Sequence, residues 1–150
     1  MLTVIEKVIF LQNVDVFRDV PTEDLAYLAA ITEEVSFRKD ENIFKENEPA
    51  DALYLVLEGQ VTHLRDGKEI TVSQAKDAFG TWALFDDAPR ITTATATMDC
   101  KLLRIDREDF FDLLADHRQI TQGVFKTVVS RMRSLQETFT PPAMNRANPS

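Results

Sequence analysis

Gly80 and Arg90 are the residues of this sequence whose types and spacing best suit chemistry, and the chemistry they suit is the holding of an anion. Gly80 opens a short helix-capable run, Trp82 to Phe85, inside Phe79-Gly80-Thr81-Trp82-Ala83-Leu84-Phe85. Backbone N–H groups at the start of a helical turn carry partial positive charge, and a glycine lets a ligand approach them closely. An acidic turn, Asp86-Asp87, and then Pro89 stop the run, and Arg90 stands at the head of a Thr-rich stretch. A guanidinium presents a planar fork of donors that meets a phosphate or carboxylate through two bonds at once. A structural reading stands beside this one, in which Arg90 pairs with Asp86 or Asp87 three or four positions back. Trp82 is read as packing in the core or closing the mouth of a pocket, in preference to the third alternative, stacking on a planar ring of a ligand.

Other chemistries find little supply. The two histidines, His63 and His117, fall on different elements and form no H-x-H pair, so no metal site is expected. No nucleophile and base are paired in a way that can be read, so catalytic residues are none, and a jelly-roll metalloenzyme is set aside. Cys100 lies between Asp99 and Lys101 and is read as a packing thiol. As the single cysteine it excludes an internal disulfide and suits a reducing, cytoplasmic compartment. A formal net charge of -8 argues against nucleic acid or an anionic membrane as a general partner. No apolar run reaches the roughly 18 residues of a membrane helix. Glu6 and Lys7 interrupt the N-terminal apolar stretch, which is not a signal peptide.

The elements that must position Gly80 and Arg90 are short. A helix from Thr3 to Gln12 places Val4, Val8 and Leu11 on one face. Thr22 is expected to cap a second helix that runs to about Glu34. From Val35 the period changes to that of strands: Val35–Arg38, Asn42–Lys45, Ala52–Leu57, Val61–Leu64, Ile91–Thr97 and Lys101–Ile105. Asp66-Gly67 signals a two-residue hairpin, and counting outward pairs His63 with Ile70 and Val61 with Val72. Asp106 is expected to cap a helix to about His117. A last helix, Gln119 to Thr138, carries Ile120, Val124, Val128, Met132 and Leu135 in one stripe, which packs on the strands or on a second copy. The pattern is mainly β with flanking helices: an antiparallel double-stranded β-helix or jelly-roll barrel with an N-terminal helical unit and C-terminal helices. One domain over 1–139 and a disordered tail over 140–150 are expected.

The run from Phe79 to Thr93 resembles the phosphate-binding cassette of the cyclic nucleotide-binding domain family, whose usual form is Phe-Gly-Glu-x-Ala-Leu, an interval ending in Pro, then Arg-x-Ala-Thr. Gly80, Ala83, Leu84, Pro89, Arg90 and Thr93 match it. The span Ile5 to Leu135 is similar to the family in order and spacing, including Asn13–Leu25, Ile43–Asp51 and Leu53–Gly59. Asp40 and Asn47 stand where the family has glycine, and both residue types tolerate left-handed backbone. The resemblance implies a cytoplasmic, bacterial signalling module rather than an enzyme, with no cofactor but with a cyclic nucleotide as ligand, cAMP before cGMP. It implies a ligand set of Phe79, Gly80, Thr81, Trp82, Ala83, Leu84, Arg90, Ile91 and Thr92, with Arg90 and the amides of Thr81 through Ala83 on the phosphate. It also makes Phe125, Val128 and Met132 candidates for a lid over the base.

Thr81 replaces the glutamate that binds the ribose in the family, and Ile91 and Thr92 depart from the family's residues after the arginine. A lost charge-assisted bond costs about 1.5–3 kcal/mol. The alternative is therefore a degenerate module that binds no nucleotide and serves protein–protein contact or dimerisation. Partners are expected to be a cyclic nucleotide, a second copy or a linked effector module, without nucleic acid or membrane contact. DNA-reading members carry a helix-turn-helix after the long helix, and this sequence is not expected to read DNA. The N-terminal helix suggests one domain of a longer polypeptide.

Overall fold

A computed structural model describes residues 1–139; the tail expected over 140–150 lies outside the described residues. Helix α1 (Val4–Leu11) begins at Thr3, whose hydroxyl accepts from the Glu6 amide while the Glu6 carboxylate accepts from the Thr3 amide. This reciprocal cap satisfies two N–H groups that the helix cannot. Of the apolar face, Leu11 is buried and Val8 half-buried, while Val4 stays exposed with Ile5 and Ile9. A 3-10 turn, Asp15–Phe17, leads to α2 (Thr22–Ala30), where Pro21 rather than Thr22 takes the cap position.

The second helix stops at Ala30 instead of Glu34 because the following residues pair as a strand. In β1 (Thr32–Phe37), every residue from Thr32, opposite Ile105, to Phe37, opposite Cys100, has a ladder partner. β-Branched Ile31 and Thr32 favour that outcome, and the Thr32 hydroxyl donates to the Ala29 carbonyl at 2.7 Å, meeting one acceptor of the helix end.

The remaining strands are β2 (Asn42–Phe44), β3 (Ala52–Glu58), β4 (Gln60–Arg65), β5 (Lys68–Gln74), β6 (Ala78–Phe79), β7 (Thr93–Ala96) and β8 (Cys100–Asp106). They form two four-stranded antiparallel sheets, ordered β1-β8-β3-β6 and β2-β7-β4-β5. Strand β3 explains how the layers are held. Ala52, Tyr54 and Val56 join Phe44, Val61, Phe79, Ala94, Ala96 and Leu102 in a core between the sheets. Leu53 and Leu55 point the other way and join Leu103, Ile105 and the helices in a second core. Side chains of successive strand residues alternate in direction, so an unbroken apolar strand serves both cores.

The hairpin corrects the simple count. Asp66 and Gly67 adopt φ of 52° and 78°, as a tight turn requires. Arg65 pairs with Lys68 and Leu64 with Glu69, but a bulge skips Ile70, so His63 faces Thr71 and Val61 faces Ser73. Strand β7 is also shorter than expected, starting at Thr93, and Arg90 lies in the connection before it. Asp40 and Asn47 take φ of 75° and 69°, the left-handed backbone anticipated for them. Helices α3 (Arg107–Asp116) and α4 (Arg118–Phe139) complete the described chain. Asp106 caps α3, accepting from the Glu108 and Asp109 amides at 3.0 and 3.3 Å.

Candidate ligand-binding site

Arg90 is fixed at its backbone before its side chain does anything. Its N–H donates to the Glu48 carbonyl and its carbonyl accepts from the Asn47 N–H, each at 2.8 Å. The loop after β2 thus clamps it from one side, and the left-handed Asn47 supplies one of the two bonds. The side chain runs inward and is only 5% exposed. Nη2 donates to the Ala52 carbonyl at 2.9 Å, and the guanidinium carbon lies 4.0 Å above the Phe44 ring. Burial pulls its pKa down, with Tyr54 and Asp51 opposing; a guanidinium nevertheless stays charged at any physiological pH.

Its nearest countercharge is Asp51 at 3.6 Å, a carboxylate that is 66% exposed and also 3.4 Å from Arg104. Nε of Arg90 is buried with no hydrogen-bond partner. A buried cation with an unfilled donor is costly unless something completes it. Asp86 and Asp87, the partners of the structural reading, are engaged elsewhere: the Asp86 carboxylate accepts from the Ala88 N–H at 3.1 Å and its backbone carbonyl from Arg107 Nη1 at 2.7 Å, and the Asp87 carboxylate lies 3.8 Å from the same Nη1.

Gly80 sits against this guanidinium at φ 72°, and a Cβ there would lie 2.6 Å from Nη1 of Arg90 and 3.2 Å from the Ala52 carbonyl. The position demands glycine twice, by conformation and by space. The 3-10 turn Thr81–Leu84 follows directly. Within it the Ala83 N–H donates back to the Gly80 carbonyl at 3.1 Å. Of the three amides expected to face an anion, that of Ala83 is therefore already engaged.

A cavity of about 770 Å³ opens over the glycine and arginine. Phe79, Gly80, Thr81, Trp82, Ala83, Arg90, Ile91 and Thr92 all line it, so the structure gathers eight of the nine expected residues; Leu84 is instead packed in the helix-side core. Trp82 is 69% exposed, which rules out core packing and leaves it at the mouth. The opposite wall was not foreseen as such. It comes from the bulged hairpin, with His63, Thr71 and Ser73, and from Asn13 and Asp15 of the N-terminal unit. His63 Nε2 lies 2.8 Å from Ser73 Oγ and its ring meets Phe79 edge-on at 4.9 Å. Burial lowers the His63 pKa, which keeps the imidazole neutral near pH 7. Only the register shift, invisible to counting, brings Ser73 opposite Val61 and within reach of His63. Cys100 is buried between the sheets and burial raises its pKa, the behaviour of a packing thiol.

Among the described residues no group of three or more His, Cys, Asp or Glu could hold a metal ion, and no helix is long and apolar enough to cross a membrane.

Known proteins resemble this chain in sequence and fold. The model of the cyclic nucleotide-binding domain matches residues 34–117, more than half of the chain. A CRP-like cAMP-activated global transcriptional regulator of Mycobacterium tuberculosis is 29% identical over 128 residues, covering 82% of this chain but 57% of the relative. The chain therefore spans little more than half the length of that regulator. Among solved structures, the N-terminal domain of a transcriptional regulator from Streptomyces coelicolor A3(2) superposes with a TM-score of 0.81 at 29% identity, covering 88% of this chain and 98% of that one. The regulatory domain of Toxoplasma gondii PKA, crystallised with cAMP, gives a TM-score of 0.66 at 27% identity, covering 71% and 42%. The fold is thus held in common with these regulatory proteins, and the chain belongs to the cyclic nucleotide-binding domain family.

Proposed function

We propose that residues 1–139 form a regulatory, non-catalytic sensing domain that binds a cyclic nucleotide, cAMP in preference to cGMP, and responds by moving its terminal helices. The observation that carries the reading is Arg90: a buried guanidinium, with its Nε unpartnered, beside a glycine whose missing Cβ leaves room at Nη1. A cyclic phosphate is an anion of the size and charge to complete it. The relatives support cAMP, since one is cAMP-activated and another was crystallised with cAMP. The cytoplasm, where such a ligand is made and read, is the setting this function implies.

Transmission follows from shared residues. Asp15 lines the cavity and is also the carboxylate that Arg131 of α4 grips through a two-bonded fork. Arg107, the first residue of α3, holds the acidic turn of the cassette. A ligand that fits one arrangement of these contacts better than another shifts the population of helix positions by its difference in affinity. Calorimetric titration of the intact chain with cAMP and cGMP tests the proposal. Heat and thermal stabilisation are expected with cAMP, weaker with cGMP, and absent in Arg90→Ala. No heat and no stabilisation at millimolar cAMP would sink it.

One observation favours the second reading, contact with a second copy of this chain. Phe125, Met132 and Leu135 of α4 are 70%, 64% and 59% exposed, and with half-buried Val128 they repeat at the three-and-four spacing of a paired helix seam. Dimerisation through this seam is compatible with an occupied site, because the seam lies on α4 and the anion site lies in the connections after β6 and before β7; whether any nucleotide binds is what separates the two readings.

A further inference from the structure

Trp82 is the largest side chain in the cassette, and it is left exposed. Its neighbours Phe79, Ala83 and Leu84 are 7%, 3% and 0% exposed, whereas Trp82 is 69% exposed on the outer side of the 3-10 turn. Single exposed apolar residues are ordinary and need no explanation. Here three of them, Ile70, Trp82 and Ile91, come from separate stretches and line one cavity, with exposures of 57%, 69% and 67%. Ile70 is the residue set outside the ladder by the hairpin bulge, and Ile91 directly follows the buried arginine. The cavity of about 770 Å³ falls in the roughly 300–1,000 Å³ range of sites that enclose whole organic ligands, far beyond the need of a bare phosphate. One end of it is cationic, and the mouth is apolar and aromatic.

We infer that Trp82 is a specificity-determining residue: its indole covers a planar aromatic ring on the ligand whose anionic group meets Arg90. This rests on the proposed anion site and adds to it that the cassette itself, and not only a distant helix, supplies the cover. Stacking of a base on an aromatic side chain is sequence-tolerant, because every base has a π-face, and its loss costs roughly tenfold to a hundredfold in affinity. Ile70 and Ile91 flank that ring and exclude water from its edges. The indole has no ring partner among the aromatic contacts of the described residues, so its faces are not already stacked.

The protein carries one tryptophan, so its fluorescence reports on this position alone. The intact chain is titrated with cAMP, AMP, phenyl phosphate and ribose 5-phosphate, following both tryptophan emission and heat, alongside Trp82→Leu and Trp82→Phe. Aromatic phosphates are expected to change the emission and ribose 5-phosphate to leave it nearly unchanged. Trp82→Leu should weaken cAMP roughly tenfold to a hundredfold without altering ribose 5-phosphate, and Trp82→Phe should restore most of the loss. Binding of cAMP with unaltered emission and an unaltered Kd in Trp82→Leu overturns the inference, as does silence from every aromatic phosphate. A response to AMP or phenyl phosphate without one to cAMP upholds it while removing the cyclic nucleotide reading. Emission that changes with protein concentration alone, and with no ligand, overturns it in favour of contact between copies.

Discussion

At the scale of single residues, the site is governed by the cost of putting a cation where water cannot reach it. Arg90 offsets that cost through the Ala52 carbonyl, the Phe44 ring and a looser contact with Asp51. None of these reaches Nε, the donor that the proposed anion would complete. Gly80 is the residue that leaves space for the arrangement. In Gly80→Ala the new Cβ would sit 2.6 Å from Nη1 and hold a left-handed φ of 72°. The conformation alone costs about 1–2 kcal/mol, and the arginine must also shift. Urea denaturation of this variant is expected to show at least that loss, together with weaker cAMP binding by calorimetry. Unchanged stability and binding would mean that the contact between Gly80 and Arg90 is not the close one described.

At the scale of elements, α4 is buried along its first half. Ile120, Val124 and Thr127 are buried, Gly123 lies so close to the Asp19 carbonyl that a Cβ would be 2.7 Å from it, and the Thr127 hydroxyl donates to the Asp19 carboxylate at 2.8 Å. Further along, the Arg131–Asp15 pair ties the helix to the N-terminal unit. The hydrogen bond from Arg131 is the largest cause holding the Asp15 carboxyl below its ordinary value of 3.8. A carboxyl whose folded pKa is depressed stabilises the fold above its unfolded pKa, and that stability is lost as the pH falls through the lower folded value. Wild type should therefore melt above Asp15→Asn at pH 7, and the gap should close as the pH drops below about 3.8. Both groups are largely exposed, so the difference is expected to be small. A gap that persists unchanged in acid would show that the pair does not contribute through its charge.

At the scale of the whole molecule, the apolar residues left over on α4 point to association. Exposed Phe125, Met132 and Leu135 make a seam that has no cover among the described residues. Sedimentation equilibrium is expected to show a dimer that Met132→Glu with Leu135→Glu turns into a monomer. The melting temperature of that monomer at low concentration should match wild type at the same concentration, because both side chains are exposed in the single chain. An unaltered oligomeric state would remove α4 from the interface.

Sequence and tertiary structure divided the work unevenly. Several elements that build the two cores were legible in the residues: the apolar strand Ala52–Leu57, the helix period in α1 and α4, and the Asp106 cap all reflect local rules that a chain obeys wherever it sits. The glycine turn and the arginine were legible too, since a glycine before a helical turn and an arginine beyond a proline are local signals. The end of α2 was not, because Thr32 chose a ladder with Ile105, a partner far along the chain. Nor was the contact of His63 with Ser73, which depends on a one-residue bulge at Ile70 that shifts the partners of His63 and Val61 by one residue. By itself the sequence determined the glycine, the arginine and the frame that brings them near one another. Only the tertiary structure decided that Arg90 is buried with one donor unfilled, that Arg107 pairs with Asp87 and holds the Asp86 backbone carbonyl, and that Trp82 stands in the open. Burial and partner choice are properties of what the rest of the chain places nearby, and no spacing along the chain encodes them.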